Sequence, residues 1–144
     1  PSILFLDEPT TGQDAYTANI LINQLQLFAT HGRIVLCTIH QPSSITFSSF
    51  DKIILVANGR IAFSGTSKQA VTFFSGLGYL CPHTYNVADF LVTTLVTSST
   101  LEYHSGKPAE RICDAFLVTD ECKEIDLILQ LELYMSESNK SVSY

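Results

Sequence analysis

Charge is scarce in this chain. Of its 144 residues only 15% are Asp, Glu, Lys or Arg, and eight basic residues stand against fourteen acidic ones, for a net charge of −6. So small a supply of cations excludes a basic stripe able to neutralise a phosphate backbone, so no nucleic-acid partner is expected. Long apolar runs are missing as well. Each is broken within about ten residues, roughly half of what a membrane-spanning helix needs, so no transmembrane segment is expected. The chain does not open on a basic segment leading into an apolar stretch and a cleavage site, and its start is not expected to be a signal peptide. Cysteine is sparse and scattered, at Cys37, Cys81, Cys113 and Cys122. No two of these have metal-ligand spacing, and reduced thiols of the kind found in the cytosol are expected instead of a disulfide framework.

What is present is apolar. Hydrophobic residues make up 46% of the chain, enough for one domain with a sizeable core. The most informative stretch runs from Ser2 to Asp14. Ile3-Leu4-Phe5-Leu6 ends abruptly in the adjacent carboxylates Asp7 and Glu8. Pro9, Thr10, Thr11, Gly12 and Gln13 follow, and then a third carboxylate, Asp14. This is the pattern of a buried strand that delivers acids to the edge of a parallel sheet. Ligands of such sheets bind outside the carboxyl ends of the strands. A second apolar run, Ile34 to Ile39, ends likewise in His40-Gln41-Pro42. Pro1 opens directly onto a strand that should be central, so the chain is expected to be a piece of something longer.

Periodicity supplies the remaining elements. A strand is expected over 2–6. A helix capped by Asp14 follows, with Ala18, Leu21, Ile22, Leu25, Phe28 and Ala29 on one face and Gly32 at its end. The second strand spans 33–39, which makes a strand–helix–strand unit with a parallel crossover. Ser43 and Ser44 open a short helix. Strands at 52–57 and 60–64 flank Asn58-Gly59, a type I′ hairpin signal because both central residues need positive φ. Helices are expected at 67–77, from Asn86 to about 97, at about 109–117 and at 121–134. Residues 98–108 read as a loop, and Met135 to Tyr144 as a mobile tail. The fold class expected is α/β: a mostly parallel sheet ending in an antiparallel hairpin, followed by C-terminal helices.

Asp7 and Glu8 carry the first chemical expectation. A strand-end Asp holds Mg²⁺ through water, because the hard ion prefers oxygen ligands and keeps much of its hydration shell. The neighbouring carboxylate is then free to orient or deprotonate an attacking water. The plain alternative is a solvated strand terminus; the apolar run before the pair and the Pro-Thr-Thr-Gly turn after it weigh against that. His40, at the neighbouring strand end, is placed to donate a hydrogen bond to a γ-phosphate oxygen; otherwise it is a polar loop histidine. His31 favours the C-terminus of its helix electrostatically. His83 and His104 read as loop residues. Asp14 is a helix cap that needs no further role, or a residue that reaches a partner subunit.

These residues resemble a known family. Leu4-Phe5-Leu6-Asp7-Glu8 resembles the Walker B strand and catalytic glutamate of an ATP-binding cassette ATPase, a P-loop NTPase-like fold. Thr11-Gly12-Gln13-Asp14 resembles its D-loop and Ile39-His40 its switch histidine. The similarity narrows to the ABCG half-transporters through Thr38-Ile39-His40-Gln41-Pro42-Ser43-Ser44, Phe50-Asp51-Lys52-Ile53, Gly59 to Gly65, Cys81-Pro82 and Asn86 to Phe90. Ile112-Cys113-Asp114-Ala115-Phe116 is similar to a segment of the insect White eye-pigment precursor transporters. The resemblance covers residues 1–118.

The resemblance implies that residues 1–97 are the C-terminal part of a nucleotide-binding domain. Residues 98–134 would be a helical linker toward a membrane domain absent from this chain, and 135–144 a mobile tail. It implies ATP and Mg²⁺ as ligands. Asp7 would bind the magnesium, Glu8 would be the general base, His40 would contact the γ-phosphate, and Asp14 would lie at the interface with a second ABCG half-transporter, as a homodimer or heterodimer. The parent would sit at the cytoplasmic face of a plasma or organelle membrane. There it would move a small hydrophobic or aromatic molecule such as a pigment precursor or lipid-like compound. Gln13 replaces a usual Leu, Thr11 a common Ser and Val87 a usual Pro; the first two fall in the loop that the resemblance places at the interface. The chain contains no G-x-x-x-x-G-K-[ST] loop, no Leu-Ser-Gly-Gly signature and no glutamine loop, so by itself it is expected to be inactive. Two other readings are a soluble ABC-type ATPase and a truncated, non-catalytic product that binds a partner half-transporter through the apolar segment Ile125 to Tyr134.

Overall fold

A computed structural model describes residues 2–96 and 108–141, with side chains as far as Ser138. The chain begins with β1 (Ile3–Leu6), α1 (Ala15–Thr30) and β2 (Ile34–Cys37). The strands pair in parallel, with Ile3 opposite Ile34 and Phe5 opposite Leu36. The residues expected on the apolar face of α1 are those that become buried or half-buried, Ile22 most completely. Asp14 caps the N-terminus of this helix, and Gly32, at φ +74°, carries the chain out of its C-terminal turn. The Arg33 guanidinium lies 4.4 Å from the centre of the Phe28 ring, a cation–π contact that ties the start of β2 to α1.

One expectation for this unit fails. β1 was expected to be buried, yet only Leu4, Leu6, Val35 and Cys37 form a half-buried face. Ile3, Phe5, Ile34 and Leu36, on the opposite face, are exposed, Phe5 at 69%. Side chains alternate across a strand, so helix packing on one face of a two-stranded sheet leaves the other face open.

The short α2 (Ser44–Ser48) is capped by the Ser43 hydroxyl, and the Thr46 hydroxyl donates to Asn19 Oδ1 at 2.9 Å, joining α2 to α1. β3 (Ile53–Ala57) and β4 (Arg60–Gly65) form the expected hairpin, with Asn58 and Gly59 both at positive φ. The hairpin does not extend the first sheet. The described strands form two separate sheets, β1–β2 parallel and β3–β4 antiparallel, where one continuous sheet was expected. Periodicity reveals that a segment is a strand but not which edge it joins. Here the hairpin pairs with itself and packs on helices.

Those helices are α3 (Ser67–Gly76), α4 (Val87–Val96) and α5 (Pro108–Leu117). With the hairpin they enclose the main core: Ala62 and Phe63 from β4, Ala70 and Phe74 from α3, Ala88, Leu91 and Leu95 from α4, and Ala109, Ile112, Cys113 and Phe116 from α5. Phe63 anchors an aromatic cluster, 5.5 Å from Phe73 and 5.6 Å from Phe116 between ring centres. Asn86 caps α4 through the amide of Ala88 and also donates to the Pro42 carbonyl, which fastens α4 to the loop after β2. On the surface, Arg60 and Asp114 form an ion pair at 2.6 Å.

Pro108, expected in a loop, is instead the first residue of α5. Proline suits that position, because its missing N–H would lack a helical partner there and its φ is already helical. The rest of the expected 98–108 loop, and the end of the helix expected to reach 97, lie outside the described residues. α6 (Asp120–Ser141) continues past residue 134, so the tail expected to be mobile from Met135 is helical through Ser141. No Gly or Pro interrupts it. Many of its apolar residues fall in two stripes, Ile125, Leu129 and Leu133 on one and Leu127, Leu131 and Met135 on the other, with Ile128 and Tyr134 beside the second, and all of these are exposed. Only the start of α6, at Cys122, packs on the core.

The polar edge at the ends of β1 and β2

The Thr38 amide donates to the Leu6 carbonyl at 3.0 Å, one rung past the Leu6–Cys37 pair. Everything that follows Leu6 and Thr38 therefore leaves the sheet at the same edge. Thr38 also joins the two strand ends through its side chain. Its hydroxyl donates to Asp7 Oδ1 at 2.5 Å and accepts the Glu8 amide proton at 2.8 Å.

Beyond Asp7 the chain turns sharply. Glu8 has φ +44°, in the left-handed region, which costs a residue bearing a Cβ about 1 kcal/mol. Its carbonyl accepts from the Thr11 amide at 3.1 Å, and its Oε2 accepts from the Thr11 hydroxyl at 3.0 Å. Residue Gln41, just after His40, is also left-handed, at φ +51°, although it precedes Pro42 and such positions normally favour extended backbone. Both strand ends thus carry a strained residue beside a candidate functional one.

Asp7, Glu8, Thr38 and His40 are all exposed, and the His40 ring makes no hydrogen bond among the described residues. Asp7 and Glu8 are brought together by Thr38, and His40 follows Thr38 by two residues on the same edge. Asp14 is engaged elsewhere. Its carboxylate accepts from the Tyr16 amide at 2.9 Å, the Thr17 amide at 3.0 Å and the Thr17 hydroxyl at 2.8 Å. The bonds from Thr17, backbone first, hold this carboxyl below its ordinary value. The cap reading of Asp14 is therefore visible in the structure. His31 forms the C-cap of α1, and its Nδ1 lies 2.8 Å from the Leu27 carbonyl.

Thr38 is the residue that sequence reasoning passed over. Its signal was present: a hydroxyl at the end of an apolar strand, two residues before a candidate histidine. Among the described residues no group of three or more His, Cys, Asp or Glu side chains is arranged to hold a metal ion. Asp7 therefore offers a single hard carboxylate, which suits an ion that keeps most of its water and takes its other ligands from a phosphate.

A family model described as ABC-2 type transporter matches residues 40–136. It is a model of the membrane part of such proteins, whereas the motif resemblance points to the nucleotide-binding part. His40 is the first residue it covers; Asp7, Glu8 and Asp14 lie outside it. Among the described residues no helix is long and apolar enough to cross a membrane. The chain is 46% identical over 138 residues to Protein scarlet of Drosophila melanogaster, covering 96% of this chain and 21% of that protein. It is 43% identical over 129 residues to Protein white of the same organism, covering 90% and 19%. It is also 43% identical over 120 residues to the ABC transporter ATP-binding protein/permease wht-1 of Caenorhabditis elegans, covering 83% and 18%. The chain thus spans about a fifth of the length of these curated relatives.

Proposed function

This chain belongs to the ABC-2 type transporter family, and we propose that it supplies the later part of the nucleotide-binding domain of a longer ABCG-type half-transporter. The observation that carries this reading is the shared edge where β1 presents Asp7 and Glu8 and β2 presents Thr38 and His40. The wht-1 relative, named as an ATP-binding protein and permease together, agrees with it. In this reading Asp7 holds the magnesium of Mg-ATP through water. One of its oxygens is directed by Thr38, and its donor chemistry fits the ion. Bound there, magnesium would neutralise charge on the phosphates. Glu8 orients and deprotonates the attacking water, and His40 contacts the γ-phosphate. Asp14 caps α1 and lies near the interface with a second half-transporter, like or unlike the first. The parent works at the cytoplasmic face of a membrane and moves a small hydrophobic or aromatic molecule.

The test is the Glu8→Gln variant of the full-length transporter. ATP binding should persist while hydrolysis falls by at least about a hundredfold, the usual scale for loss of a general base. Unchanged hydrolysis would remove Glu8 from this role. The 144-residue chain alone, which has no phosphate-cradling glycine loop, should hydrolyse no measurable ATP.

A second reading rests on α6. Its exposed stripes, Ile125 to Met135, favour a non-catalytic product that docks on a partner half-transporter. Recovery of an ABCG subunit with the isolated chain, abolished by Leu129→Asp, would support it.

A further inference from the structure

A threonine hydroxyl has one proton to donate. Thr38 directs it to Asp7, so its oxygen lone pairs face the Glu8 amide. The result is one directional chain, from the Glu8 N–H to the Thr38 hydroxyl to the Asp7 carboxylate. It fixes the rotation of one carboxylate and pins the other residue's backbone, which is held left-handed. It also crosses between strands. Thr38 is continuous with Ile39 and His40, so the same hydroxyl fastens the histidine segment to the acidic pair. These groups are exposed, and water would satisfy each of them if Thr38 were absent. What the hydroxyl supplies is therefore geometry more than stability.

We infer that Thr38 is a positioning residue, whose hydroxyl sets the Asp7 carboxylate and the Glu8 backbone in the relative arrangement that the site uses. The inference rests on the ATPase reading above. Partners of metal-holding side chains commonly contribute ten- to hundredfold in affinity or rate without touching the metal.

Two substitutions separate hydroxyl from shape. Thr38→Val keeps a β-branched side chain of nearly the same form, and Thr38→Ser keeps the hydroxyl. In the 144-residue chain, amide hydrogen exchange at Glu8 should quicken by about tenfold in Thr38→Val and remain near the parent rate in Thr38→Ser. In the full-length transporter, Thr38→Val should lower kcat by about ten- to hundredfold and raise the magnesium concentration needed for half-maximal hydrolysis. Thr38→Ser should restore most of both. Equal losses in the two variants would assign the effect to packing and overturn the inference. So would Thr38→Val behaving as the parent while Glu8→Gln abolishes hydrolysis, an outcome that leaves the ATPase reading standing. Unchanged hydrolysis in Glu8→Gln would bring down both.

Discussion

The β1–α1–β2 unit and the body formed by β3, β4, α3, α4 and α5 are built from similarly apolar segments, yet they differ in how their faces are covered. In the body, Phe74, Leu91 and Ile112 are fully buried and all five elements share one core. In the strand–helix–strand unit Ile22 is the only buried apolar side chain among the described residues, and one whole face of the sheet is open. The candidate site residues Asp7, Glu8, Thr38 and His40 sit on the less covered unit. Cohesion and the candidate site are therefore separated in this chain. The body supplies a scaffold, and the strand pair presents polar groups at an edge held by a few hydrogen bonds. Few buried apolar contacts support it, and ligand-binding segments are commonly drawn from such locally less stable elements.

The sharpest way to break this contrast is to delete one phenylalanine from each region. Phe74→Ala, in the packed centre of the body, should cost about 3–5 kcal/mol of unfolding free energy. Phe5→Ala, on the open face, should change it by less than about 0.5 kcal/mol. Urea unfolding of the two variants measures both. A Phe5 effect as large as that of Phe74 would mean that the strand face is covered in solution, and the two regions would no longer differ in kind.

A smaller effect tests the body alone. Thr66 caps α3 in a reciprocal box: its hydroxyl accepts from the Gln69 amide at 3.2 Å, and its own amide donates to Gln69 Oε1 at 2.8 Å. Thr66→Ala should cost about 1 kcal/mol in the same urea experiment. That cost should hold across the acidic pH range, because no group in the box titrates.

Local signals were the legible part of this fold. Asp14 before Ala15, Asn58-Gly59 and Asn86 each mark an end or a turn through bonds made within a few residues, and each does so in the structure. The apolar face of α1 was legible for the same reason. The pairing within β1–β2 and within β3–β4 was legible too, but the separation of the two sheets was not, because whether β3 also lies beside β2 depends on contacts that no periodicity encodes. The burial of β1 was misjudged likewise: Leu4-Phe5-Leu6 has the composition of a strand covered on both faces, but nothing in it states what lies over Phe5. For the site, Asp7, Glu8 and His40 stood out as chemistry at strand ends. The strain at Glu8 and Gln41 and the bridge through Thr38 arise only once the two strands are in register.

Asp14 and Thr66 are helix caps of different chemistry, one in each region. Asp14 accepts its bonds as a carboxylate, and those from Thr17, chiefly backbone, lower its folded-state pKa below the ordinary 3.8. A lowered carboxylate pKa means that the unfolded chain binds the proton more readily. The stabilisation is then fully present above 3.8 and is lost as pH falls from there through the lower folded value. α1 should therefore lose protection below about pH 3.8, ahead of α3 with its neutral cap. Amide exchange followed from pH 5 to pH 2.5 should show the first turn of α1, at Tyr16 and Thr17, opening before the first turn of α3. Asp14→Ser, a cap without a titrating group, should remove that order. If both helices open together in the parent, the pH response belongs to the whole fold and not to this carboxylate.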